Sequence, residues 1–135
     1  MSDIIKIYVD GGCKRNGGDN SEAYGSMAVE YQGKIQREVH QDFPNASTNN
    51  EAEYCAVLMA MSYIDGLKRR AAIVLSKIEI LTDSQLIYGQ LCKGYKVKAE
   101  NLRGLFRAAM DWLLGNPDVV IEKVDRDLIK AVLGH

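Results

Sequence analysis

Asp10, Glu53 and Asp83 are the residues of this 135-residue chain best suited to do chemistry. Asp10-Gly11-Gly12 follows an apolar run, Thr48-Asn49-Asn50-Glu51-Ala52-Glu53-Tyr54 enters a helical pattern, and Thr82-Asp83-Ser84-Gln85 follows a second apolar run. A carboxylate directly behind a strand of buried type is costly unless it is paired or metal-bound. Three that converge repel one another unless cations neutralise them. Hard oxygen donors, with no cluster of His or Cys, favour Mg²⁺ or Mn²⁺ over zinc. Sites of this kind, holding two ions roughly 3.5–4 Å apart, suit in-line phosphoryl displacement. Each acid also has an ordinary structural explanation. Asp83 can be a helix N-cap, Glu53 a first-turn anion on the helix dipole, and Asp10 a turn residue. The three together point to one shared electrostatic site.

The elements that must position them follow from periodicity. Residues 4–9 form a β-branched run ended by Asp10-Gly11-Gly12, and a polar loop over 13–22 follows. Residues 24–31 and 34–42 read as a hairpin turning at Gln32-Gly33. Ser47 or Thr48 caps a long helix, with Glu51 placed as in a capping box. Ala52, Cys55, Ala56, Met59 and Tyr63 give that helix its apolar stripe. Residues 77–81 are a buried strand. Asp83 and Ser84 cap a short helix to residue 91, and 98–114 is an amphipathic helix ending at Gly115-Asn116-Pro117. Residues 119–124 and 128–133 are a last strand and a short helix. A hairpin meander followed by β–α crossovers implies a mixed sheet covered by helices, in one α/β domain over residues 1–135. With the first strand central and the strand at 77–81 parallel beside it, Asp10 and Asp83 emerge together, and Glu53 reaches them from the long helix.

Bulk composition is that of an ordinary globular chain, with a formal charge of −1 from 17 Lys and Arg against 18 Asp and Glu. Any surface for a polyanion must therefore be local. No apolar stretch approaches the roughly 20 residues needed to span a bilayer, and no basic segment with an apolar run behind it opens the chain. Cys13, Cys55 and Cys92 have no metal-type spacing, so reduced thiols in a cytoplasmic protein are expected.

The three blocks Tyr8-Val9-Asp10-Gly11-Gly12, Thr48-Asn49-Asn50-Glu51-Ala52-Glu53-Tyr54 and Leu81-Thr82-Asp83-Ser84-Gln85 resemble the signature blocks of type 1 ribonuclease H. The Asn-Asn-x-x-Glu block discriminates, since integrases and resolvases share the fold without it. The resemblance implies an RNase H-like fold, with three antiparallel strands and then parallel β–α units in a five-stranded mixed sheet flanked by helices. It further implies hydrolysis of the RNA strand of an RNA–DNA hybrid, leaving 5′-phosphate and 3′-hydroxyl ends, by a monomer. Two Mg²⁺ ions, or Mn²⁺ as substitute, would be held by Asp10, Glu53 and Asp83. By the same resemblance Asn16, Asn50 and Gln85 contact 2′-hydroxyls and minor-groove edges, Cys13 and Asn49 face the DNA strand, and Thr48 lies in a DNA-phosphate pocket. Neutral amides suit the 2′-hydroxyl that separates RNA from DNA. Asparagine is also common in glycine-rich loops and at helix starts, and Gln85 can be a solvated first-turn residue. Tyr24-Gly25 resembles the aromatic-glycine strand start of the family, a structural feature.

The chain departs from that pattern at its C-terminal end. The family places a fourth metal-binding acid after a motif like Arg-x-x-Asn-x-x-Ala-Asp. Here Arg126 fits, Ile129 replaces the asparagine, and Val132 or Leu133 falls where the acid belongs. His135, through its imidazole or a terminal carboxylate, is the candidate substitute. Asp125 and Asp127 are expected in solvent, with Asp127 a further stand-in. The basic helix inserted in longer relatives is absent, and Gly94-Tyr95-Lys96-Val97-Lys98, with Lys93, Arg103 and Arg107, looks like its remnant. A module that binds hybrids or a partner protein with weak or no catalysis is the alternative reading.

Overall fold

The computed structural model describes residues 4–70 and 77–134. Its centre is a five-stranded sheet in the order β3-β2-β1-β4-β5. β1 (Ile4–Lys14), β2 (Glu22–Tyr31) and β3 (Lys34–Asp42) are an antiparallel meander. β4 (Lys77–Thr82) lies parallel to β1, and β5 (Val119–Lys123) parallel to β4. The helices are α1 (Asn49–Arg70), α2 (Gln85–Cys92), α3 (Glu100–Leu114) and α4 (Arg126–Leu133). This is the expected mixed α/β architecture, with the first strand central.

Strand alternation decides which face each helix covers. Ile5, Ile7 and Val9 of β1 join Met27, Val29, Ile78, Ile80, Val119 and Ile121 in the main core beneath α1, α2 and α3. The opposite face is lightly covered. There Tyr8 and Leu81 pack with Ile129 of α4, and Val124, Val132 and Leu133 border them. The β2–β3 turn has positive φ at both Gln32 (54°) and Gly33 (79°), the backbone that a two-residue hairpin of matching twist requires.

The first strand is longer than its sequence pattern suggests. The expected end at residue 9 holds only on the β4 side, where pairing stops at Tyr8↔Leu81. Pairing with β2 continues through Asp10↔Ser26 to Lys14↔Glu22. Glycines and polar residues hid this extension, because the outer part of the ladder buries little. The long helix is correctly placed, but its stripe is wider than read: Tyr54, Val57, Ala60, Met61 and Ile64 are buried, while Cys55, Met59 and Tyr63 are half-buried. α4 starts at Arg126, two residues earlier than expected.

Candidate active site

Beyond Tyr8 and Leu81, β1 and β4 part, and the cleft at their C-terminal ends receives Asp10 and Asp83. Clefts outside the carboxyl ends of such strands are the usual ligand sites of α/β sheets. α1 brings the third acid because its first turn lies almost on the β1 backbone. A Cβ added to Gly11 would come within 2.3 Å of the Ala52 carbonyl oxygen and 2.6 Å of the Glu53 nitrogen. Only glycine permits that approach. Asp10, Glu53 and Asp83 thus converge, each offering one carboxylate oxygen within 4.8 Å of the others.

Local hydrogen bonds hold this convergence. Thr48 accepts from the Glu51 backbone N–H at 3.1 Å and is the N-cap of α1. Glu51 Oε1 in turn accepts from Ser47 through its backbone N–H at 3.2 Å and its hydroxyl at 3.1 Å, one residue earlier than a standard capping box. At α2 the cap is Ser84, whose hydroxyl accepts from the Ile87 N–H at 3.2 Å. Asp83 is therefore not the cap, and its carboxylate is left to the cleft.

Burial, then Asp83, then Asp10 raise the Glu53 carboxyl to about 7, against the pull of the Ser84 hydrogen bond and Arg126. Three carboxylates in one volume are a donor set suited to a hard divalent cation. The cavity they line has a volume of about 350 Å³ and is also bordered by Gly11, Tyr24, Asn49, Arg126, Ile129 and Lys130. A larger cavity, about 490 Å³, lies beyond Tyr24 along β3 and contains none of the triad.

The other sequence candidates take varied positions. Asn49 accepts from the Cys13 backbone N–H through Oδ1 at 2.8 Å, and donates its own backbone N–H to Asn16 Oδ1 at 2.8 Å. These bonds staple the loop after β1 onto the start of α1, so Cys13, Asn16 and Asn49 form one ledge beside the triad. Asn50 is exposed next to them. Gln85, exposed at the start of α2, donates to the Tyr95 hydroxyl at 3.3 Å. Tyr95 is fixed because its ring lies over Gly89, where a Cβ would meet it at 2.0 Å. His135 lies outside the described residues. Asp125 and Asp127 are exposed, and neither joins the acidic cluster. Where a fourth acid was sought, Val132 and Leu133 pack against the Tyr8, Leu81 and Ile129 cluster.

Sequence reasoning missed Tyr24 and Lys130 as cleft residues and gave Arg126 only as a motif match. Arg126 Nε lies 3.3 Å from Asp83 Oδ2, with the Asp83 side chain 5% exposed and that of Arg126 74% exposed. The signal was the i, i+4 spacing of Arg126 and Lys130, which is indistinguishable in sequence from a solvated helix face.

Residues 2–110 match the sequence model of the RNase H family. The chain belongs to that family. β5 and α4 lie beyond the matched residues. Ribonuclease H of Polynucleobacter asymbioticus is 37% identical over 83 residues, covering 62% of this chain and 46% of the relative. Ribonuclease H of Thiobacillus denitrificans is 38% identical over 86 residues, covering 64% and 49%. The aligned part is thus about half the length of these curated relatives. Among solved structures, LC11-RNase H1 in complex with RNA/DNA hybrid superposes with a TM-score of 0.80 at 25% identity, over 95% of this chain and 90% of that one. RNase H1 of Halobacterium salinarum NRC-1 superposes at 0.78 with 27% identity, over 96% and 91%.

Proposed function

We propose that this RNase H domain, spanning residues 1–135, is an endonuclease that hydrolyses the RNA strand of RNA–DNA hybrids, leaving 5′-phosphate and 3′-hydroxyl ends. The observation that carries the reading is the convergence of Asp10, Glu53 and Asp83 within 4.8 Å at the mouth between β1 and β4. Family membership and the hybrid-bound structural neighbour support it. Asp10, Glu53 and Asp83 would hold two Mg²⁺ ions, or Mn²⁺ in their place. Such ions supply an activated water and neutralise charge on the transferring phosphate. The protein fixes the acids through the Gly11 contact and the Ser84 cap, and the Cys13, Asn16, Asn49 ledge with Thr48, Asn50 and Gln85 faces the nucleic acid. Neutral amide donors and acceptors there would read the 2′-hydroxyl and leave a DNA strand uncut.

His135 is retained as the catalytic candidate for the last corner. A monomeric, cytoplasmic protein is proposed, and its three cysteines are free thiols. No described helix is long and apolar enough to cross a membrane. A hybrid-binding module of weak or no activity is the second reading, favoured by Val132 and Leu133 standing where a fourth acid was sought. End-labelled hybrid, double-stranded RNA and double-stranded DNA incubated with Mg²⁺ and then Mn²⁺ separate the two. Cleavage of the hybrid RNA alone is expected, and binding without cleavage under either ion selects the module.

A further inference from the structure

The rim of the triad cavity opposite α1 is made by α4, and it is cationic. Arg126 and Lys130 stand one helical turn apart, and both line the cavity that holds Asp10, Glu53 and Asp83. Ile129 between them is fully buried against Tyr8 and Leu81, so the turn carrying both cations is anchored to the sheet. The Arg126 guanidinium meets Asp83 through Nε, while most of its side chain remains exposed. Beyond Nε–H the guanidinium carries further N–H donors, in the fork that matches two phosphate oxygens.

We infer that Arg126 and Lys130 form a phosphate clamp that binds the backbone of the strand presented to the triad. The inference rests on the proposed hybrid substrate and names the groups on this chain that hold its phosphate. Electrostatics favours it. A polyanion approaching three carboxylates needs positive charge on the same cleft, and a protein of net charge −1 must supply it locally. Arg126 is held over Asp83 by the ion pair, so the clamp is pre-positioned at the acids and loses little freedom on binding.

The test uses the full chain carrying Asp10→Asn, to prevent turnover, and a fluorescein-labelled RNA–DNA hybrid followed by anisotropy over a range of KCl concentrations. Each lost phosphate contact lowers the slope of log affinity against log salt by about 0.9. Arg126→Ala and Lys130→Ala should each flatten the slope by close to that amount, and the double substitution by about twice it. Arg126→Lys should keep the slope because the charge is kept, whereas a purely structural role for the Asp83 pair predicts no change of slope in Arg126→Ala either. Unchanged slopes in both alanine variants, with the parent still binding hybrid, overturn the clamp alone. A parent with no affinity for hybrid overturns the substrate reading, and the clamp falls with it.

Discussion

The two walls of the candidate active-site cleft are built to different standards. The α1 wall is over-determined: the backbone of β1 touches that of α1 at Gly11, two caps fix the helix starts, and Asn16, Asn49 and Cys13 lock the adjoining loop. The α4 wall rests on a small apolar cluster around Ile129 and presents long, exposed cations. A rigid wall suits groups that must hold a fixed geometry about ions. An exposed cationic rim, with Arg126 held by Asp83, suits contact with a phosphate backbone rather than fixed geometry about ions. The difference implies that substitutions on the α1 wall abolish chemistry, whereas those on α4 weaken substrate binding.

The largest effect that would sharpen this contrast is on turnover. Asp10→Asn should lower hybrid cleavage on the order of 10³-fold or more, as expected for loss of a charge acting on the reacting phosphate. Its thermal midpoint should not fall, because one of three mutually repelling carboxylates is removed; a lowered midpoint would show that Asp10 serves the fold. Next is Gly11→Ala, which must push α1 from β1. A stability loss of about 1–3 kcal/mol in urea unfolding, with activity falling further than stability alone explains, is the expected result. An active, fully stable Gly11→Ala would break the claim that this contact sets the triad.

On the other wall, Ile129→Ala should cost about 2–4 kcal/mol where it is felt, and hydrogen exchange should show the loss confined to α4. Exchange spreading equally into α1 would erase the distinction between the walls. A similar but smaller effect concerns pH. The Glu53 carboxyl is raised to about 7, so the folded protein binds a proton more tightly than the unfolded chain does. Without divalent ions, stability should therefore fall as pH rises from the unfolded value near 4.5 through 7, by about 1–3 kcal/mol in total. Glu53→Gln should remove that slope, and a slope that persists in the variant would place the titrating group elsewhere.

The sequence exposed the α1 wall far better than the α4 rim, for physical reasons. An acid after a β-branched run and an Asn-Asn-x-x-Glu helix start are conflicts between residue type and position, and such conflicts stand out. The roles within that wall were less legible. Ser84 and Asp83 are both good N-caps, and only the fold decides that Ser84 turns inward to Ile87. Tyr54 is not among the residues of the apolar stripe, yet it is buried with its hydroxyl donating to Gln90. At α4 the charged residues Arg126, Asp127 and Lys130 look alike in sequence. Burial of Ile129 sets which of them face the cleft, and that depends on Tyr8 and Leu81 being left uncovered by α1–α3.

The central claim is that Asp10, Glu53 and Asp83 form a working metal-dependent site that cuts RNA paired to DNA. It is tested most directly by incubating the wild-type chain and Asp10→Asn with a 5′-labelled RNA–DNA hybrid in Mg²⁺ and in Mn²⁺, and resolving the products. The account predicts internal RNA fragments ending in 3′-hydroxyl from the wild type, none from Asp10→Asn, and no cutting in EDTA. Cleavage that survives either Asp10→Asn or EDTA would contradict it.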